Sequence, residues 1–178
     1  MKSLLKGRLI ICLLLLGILA SGLNGMKASA KGGWPKGPSS DTISAESAIV
    51  MDINTGTILY KKNIHDQHYP ASITKIMTKL LCLENACLTD TVKFSSTAVT
   101  SIEPGSSHIG VIADEKLNME DCLYGIMLMS ANEVCNGVAE HIGGSIQGFV
   151  DMMNEKAKEL GCKNTHFANP NGLFLKDH

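Results

Sequence analysis

The chain has 178 residues, 44% of them hydrophobic and 19% charged, a mix that excludes disordered and fibrous classes and fits one domain, or one domain with a short appendage. Its 16 basic and 17 acidic residues nearly cancel and its lysines never gather into a stripe, which argues against nucleic acid as a partner. Aromatics are only 4%, so Leu, Ile, Val and nine Met must fill most of any core.

Lys2, Lys6 and Arg8 precede an apolar run from Leu9 to Ala20, and Ala28-Ser29-Ala30 follows with the small-x-small pattern of a signal-peptidase site. The run is shorter than the roughly 20 residues that span a bilayer. Residues 1–30 therefore read as an export signal with Lys31 as the mature N-terminus; an uncleaved signal anchor is the alternative. Removal of this segment takes away Lys2, Lys6, Arg8 and Lys27 and no acidic residue, so the mature chain is acidic and has no charge-driven adhesion to anionic lipid. Residues 31–46, rich in Gly, Pro and Ser up to Asp41, read as a flexible leader.

From Ser47 to Ile53 and again from Thr57 to Tyr60 the chain is apolar and rich in β-formers. Asn54-Thr55-Gly56 between them supplies turn chemistry, with a glycine free to take positive φ, and predicts a hairpin. After Pro70 the period changes. Ile73, Ile76, Met77, Leu80 and Leu81 recur at helical spacing and predict one buried stripe. Asn118 predicts a helix cap, with Glu120 and Asp121 in the first turn of a helix reaching about Met129. A further helix is predicted from Ala131 to His141, ending at Gly143-Gly144. Ser145 caps a last one, with Ile146, Phe149, Val150, Met153, Ala157 and Leu160 as its apolar positions and Gly161 just past its end. A two-stranded hairpin is not stable alone in water, so the sheet implied by these elements is incomplete.

Six cysteines are present, of which Cys12 lies in the signal. The remaining Cys82, Cys87, Cys122, Cys135 and Cys162 are odd in number and lack paired spacing, which argues against a disulfide framework and sits awkwardly with an oxidising compartment. Cys122 and Cys135 fall in helical patterns and read as buried thiols; Cys87 is open to either reading.

The chemistry concentrates in Pro70-Ala71-Ser72-Ile73-Thr74-Lys75. In a helix starting near Ala71, Ser72 and Lys75 share one face. A serine hydroxyl is a weak nucleophile until a neighbouring base takes its proton. Lysine can be that base if desolvation or nearby positive charge leaves it neutral. The helix N-terminus also favours negative charge developing at Ser72. Alone, Ser-x-x-Lys reads better as a serine near a helix start and an exposed lysine one turn on, since both residues are common. Ser130-Ala131-Asn132 sits between two helical stretches and adds two polar side chains at a break. On its own it also reads as a helix cap with Ser130 at the N-cap. His65 and His68 have metal-ligand spacing but no third ligand nearby and fit a polar loop better. His141 and His166 have no evident partner.

Ser-x-x-Lys followed by Ser-Asp-Asn is the order found in penicillin-binding proteins and class A β-lactamases; here the order is right and position 131 is Ala rather than Asp. With Met51-Asp52 through Gly56 to Leu59-Tyr60, Pro70 to Thr78, Gly105-Ser106-Ser107, Met129 to Asn132, Gly143-Gly144-Ser145, Phe149 to Gly161 and Asn169-Pro170-x-Gly172-Leu173 in order, the chain resembles the D-alanyl-D-alanine carboxypeptidases of peptidase family S11, low-molecular-mass penicillin-binding proteins. The resemblance covers most of residues 47–178 and implies an α/β fold of the serine β-lactamase class, an antiparallel sheet with a flanking helical subdomain, of which residues 47–178 are the N-terminal part. It further implies Ser72 as acylated nucleophile, Lys75 as general base, Ser130 as proton relay and Asn132 as substrate contact, with the Ser72 N–H one of two oxyanion donors. No metal or cofactor is implied.

One departure stands out. The family's later Lys-Thr-Gly or Lys-Ser-Gly strand, which supplies the second oxyanion donor and positive charge for the substrate carboxylate, is absent from this chain; Asn54-Thr55-Gly56 lacks the lysine and precedes the serine. Loss of one oxyanion donor costs about 3–4 kcal/mol of transition-state stabilisation, so residues 1–178 alone are expected to be inactive or poorly folded. The expected partners are peptidoglycan pentapeptide stems and β-lactams as acylating inhibitors, at the extracytoplasmic face of the membrane or cell wall. The resemblance also allows a membrane-anchoring segment C-terminal to this chain. A serine β-lactamase, or a truncated wall-associated binding protein without turnover, are the rival readings.

Overall fold

The computed structural model describes Gly37, Ser39 and residues 42–175; the predicted export signal and most of the predicted leader lie outside the described residues. The chain divides into two compact units, one ending at Asp66 and one beginning at Gln67.

In the first unit, strands β1 (Ala48–Met51) and β2 (Ile58–Lys62) form the predicted antiparallel hairpin, with Val50 opposite Tyr60 and a bulge between Val50 and Met51. Asp52 organises the turn. Its Oδ1 accepts from the backbone N–H groups of Asn54 and Thr55 and from the Thr55 hydroxyl. Those bonds, the Thr55 hydroxyl first, hold the carboxyl below its usual range. Gly56 takes φ 69°, as the turn requires. The open end is tied back by Lys62 Nζ donating to Ile43 O, Ser47 Oγ to Asn63 O and Asn63 Nδ2 to Glu46 O.

The second unit begins with a single 3-10 turn, Ala71–Ile73, which runs directly into α1 (Thr74–Asn85). Next come β3 (Thr91–Lys93), the short α2 (Ser96–Thr100) and β4 (Lys116–Asn118), followed by α3 (Met119–Met129), α4 (Asn132–Gly143) and α5 (Ile146–Glu159). The β3–β4 antiparallel pair, with Val92 opposite Leu117, was not predicted. Its strands are three residues long, too short for an alternation signal. The caps of α3 and α5 follow expectation: Asn118 accepts from the Asp121 N–H and Ser145 from the Gly148 N–H.

Two expectations are corrected. The buried face of α1 is Thr74, Lys75, Thr78, Leu81 and Cys82, whereas Ile73 and Ile76 are 68% and 61% exposed. Of the predicted stripe Leu81 is buried and Met77 packs against the same cluster, but Ile73 and Ile76 face outward because this helix turns Thr74, Lys75 and Thr78 inward, towards α4 and the segment after α5. Ser130 is not the N-cap of α4. It closes α3 in the left-handed conformation (φ 55°, ψ 33°), and Ala131 takes the N-cap position without a side-chain bond.

Helix α4 is the hub. Its residues from Asn132 to Ala139 are all buried, as befits a helix covered on every side. On one side Val134, Cys135 and Val138 join Val92, Phe94, Met119, Cys122 and Ile126; on another Ala139 joins Leu81, Phe149, Val150, Met153 and Phe167. Among the described residues no helix is long and apolar enough to cross a membrane.

Candidate active site

Four polar side chains converge where α1, the α3–α4 junction and the segment after α5 meet. Ser72 Oγ lies 2.9 Å from Ser130 Oγ and 3.2 Å from Lys75 Nζ. The spacing of Ser72 and Lys75 by one helical turn accounts for the second contact. The first is made from a Ser130 whose backbone is left-handed, with φ 55°. Ala71, next to Ser72, is also left-handed, with φ 47°. Such backbone in a non-glycine residue costs on the order of 1–3 kcal/mol and persists where the surroundings over-determine it.

The lysine is only 3% exposed. Its amine donates to Asn132 Oδ1 at 2.7 Å and to the Asn171 backbone carbonyl at 2.6 Å. Both partners are pure acceptors at those atoms, so two N–H bonds are committed to them. The remaining tetrahedral direction points at Ser72 Oγ. In the ammonium that direction carries a proton; in the neutral amine it carries the lone pair that can take one from the hydroxyl. Burial lowers the Lys75 pKa, favouring the neutral form. The nearby Cys135 would oppose this as a thiolate, but burial pushes its own pKa up to about 12, so at neutral pH it is an uncharged thiol.

The serine and Asn132 open onto a cleft of about 420 Å³ lined also by Tyr69, Ser106, Ser107 and Gly172. Tyr69 and Phe174 meet edge to face at its rim, ring centroids 5.0 Å apart. The Ser107 carbonyl accepts from the Asn132 N–H, and Glu133 Oε1 accepts from the N–H groups of Ile109 and Gly110. These bonds pin the 105–110 wall of the cleft to the start of α4.

Residues 35–178 match the family described as D-alanyl-D-alanine carboxypeptidase, peptidase S11. The chain belongs to that family. Among curated relatives, the Bacillus subtilis D-alanyl-D-alanine carboxypeptidase DacF is 41% identical over 75% of this chain and 35% of its own length. Among solved structures, penicillin binding protein 5 from Haemophilus influenzae superposes with a TM-score of 0.70 at 32% identity, covering 79% of this chain and 41% of that one. The D-alanyl-D-alanine carboxypeptidase DacD from Francisella tularensis gives 0.69 at 34% identity, with 85% and 37% covered. The fold is therefore that of the penicillin-binding, serine β-lactamase-like class. The chain spans about a third of the length of the curated relatives it matches.

The four residues expected from the sequence, Ser72, Lys75, Ser130 and Asn132, are brought together in the structure. Sequence reasoning missed Asn136, and it placed Thr78 and Asn169 in matching stretches without giving either a role. Thr78 Oγ1 donates to Pro170 O, and Asn169 Oδ1 accepts from the N–H groups of Asn171 and Gly172. For Asn136 the available signal was its place one helical turn beyond Asn132 on α4. The remaining candidates lie elsewhere. His65 is exposed, and among the described residues no three His, Cys, Asp or Glu stand together as a metal site. His141, expected to lack a partner, has Nε2 3.8 Å from Asp90 Oδ2.

Proposed function

We propose that this chain carries the acylation machinery of an exported serine D-alanyl-D-alanine carboxypeptidase, with Ser72 as nucleophile, Lys75 as base, Ser130 as proton relay and Asn132 as substrate contact. The observation that carries the reading is the amine of Lys75, buried and held by two carbonyls with its third direction aimed at Ser72 Oγ. In the reaction Ser72 Oγ attacks the carbonyl carbon of the terminal D-Ala–D-Ala bond as its proton passes to Lys75 Nζ. The tetrahedral oxyanion faces the Ser72 N–H, which lies in the first turn of a helical run where N–H groups lack helical acceptors. The C–N bond then breaks. The proton reaches the leaving D-alanine amine through Ser130 Oγ, 2.9 Å from Ser72 Oγ. Water hydrolyses the resulting ester and restores the hydroxyl. The substrate is a peptidoglycan pentapeptide stem, and β-lactams acylate the same oxygen. Export by residues 1–30 places this chemistry outside the cytoplasmic membrane.

The test is labelled penicillin offered to the full-length protein. A persistent adduct on Ser72, absent in Ser72→Ala, is the expected result, together with D-alanine release from pentapeptide. Attachment elsewhere would sink the assignment, and an adduct that turns over within seconds would make the protein a β-lactamase instead.

A further inference from the structure

Asn171 presents its backbone carbonyl to the Lys75 amine, and its position is secured from four directions. Its N–H donates to Asn169 Oδ1, and its Oδ1 accepts from the Leu173 N–H. Its Nδ2 donates to Asn136 Oδ1 at 3.1 Å, and Asn136 Nδ2 in turn donates to the Ala98 carbonyl at 3.1 Å. The fourth constraint is steric: the next residue, Gly172, lies so close to Ala71 that a Cβ there would sit 1.8 Å from the Ala71 oxygen. Asn136 and Asn171 are 2% and 3% exposed. Asn136 stands one helical turn beyond Asn132 on α4, so both asparagines share a face. One face of α4 thus reaches the amine by two routes, directly through Asn132 Oδ1 and indirectly through Asn136 and the Asn171 carbonyl.

We propose that the buried Asn136–Asn171 amide pair is a positioning device that aims the Lys75 amine at Ser72 Oγ. The proposal rests on the reading of Lys75 as the base. Two acceptors define the direction of the third substituent on a tetrahedral nitrogen; with one displaced, the amine can rotate about its remaining bond and its lone pair leaves the hydroxyl. A pair serving only to fill the core would need no polar atoms at all, since an apolar replacement of similar shape is often neutral. Here every polar atom of both side chains is used, and the chain of bonds ends on the proposed base.

Stopped-flow acylation of the full-length protein by a fluorescent penicillin separates encounter affinity from the acylation rate constant. Asn136→Ala and Asn171→Ala are each expected to slow acylation on the order of 10- to 100-fold while encounter affinity stays within about twofold. The double variant is expected to be no slower than the slower single one, because both changes disable one device. A wild-type rate constant in folded single variants overturns the proposal. So does a loss confined to encounter affinity, or strictly additive losses in the double variant. If both single variants lose cooperative unfolding, the pair is a requirement of the fold and the proposal is likewise overturned. Ser72→Ala separates the two levels. Penicillin still attached to that variant defeats the underlying assignment, whereas its absence alongside normal acylation of the asparagine variants defeats the positioning role alone.

Discussion

At Lys75 burial works against charge. Because burial lowers its folded-state pKa below the ordinary 10.5, the unfolded chain binds this proton more tightly. Stability therefore rises with pH across the window from the lowered value up to 10.5. In denaturant titrations at successive pH values the advantage of wild type over Lys75→Met is expected to grow through that window; an advantage that shrinks would contradict the burial argument. Acylation should rise with pH around the same lowered value, and Lys75→Met should slow it by about 10²- to 10⁴-fold. The cysteines report burial as well. Cys82, Cys122 and Cys135 are buried, and burial pushes each of their pKa values up to about 12. A thiol reagent is expected to modify the exposed Cys87 and Cys162 in the native protein and to reach the other three only on unfolding. Mass spectrometry of the tagged peptides decides this.

At the scale of elements, the segment after α5 does what no single residue can. It returns to α1 and supplies the Pro170 carbonyl to Thr78 and the Asn171 carbonyl to Lys75. Gly172 is the closest approach, at φ 83° and with no room for a Cβ against the Ala71 carbonyl. Gly172→Ala must therefore push this segment away from the 3-10 turn that carries Ser72. The expected cost is about 1–3 kcal/mol in unfolding free energy, with acylation slowed beyond what the stability loss explains. An unchanged denaturation midpoint would show that the segment can yield without strain. Asn154 fastens the stretch leading into this segment, accepting from the Phe167 N–H and donating to the Phe167 carbonyl.

At the scale of the whole molecule, the two units differ in what they bury. The hairpin leaves Ile49, Val50, Met51, Ile58 and Leu59 exposed by about half, whereas both packed clusters of buried apolar residues lie in the second unit. A two-stranded ribbon is marginal in water by itself. A peptide of residues 42–66 is expected to show no stable strand signal by circular dichroism, and a cooperative thermal transition in that peptide would refute this.

The amino-acid sequence by itself determined whatever depends on neighbours within about one helical turn. The hairpin turn at Asn54-Thr55-Gly56, the caps at Asn118 and Ser145, and the placing of Ser72 and Lys75 on one face all belong here, because caps, turns and i,i+3 pairs are local interactions. Only the tertiary structure decided that Thr74 and Thr78 turn inward beside Lys75 while Ile73 and Ile76 stay in water. It alone placed Ser130 in a left-handed corner over Ser72, and brought a carbonyl from the distant Asn171 to the amine. Desolvation and the direction of a hydrogen bond arise from contacts between segments far apart along the chain, and no local periodicity encodes them.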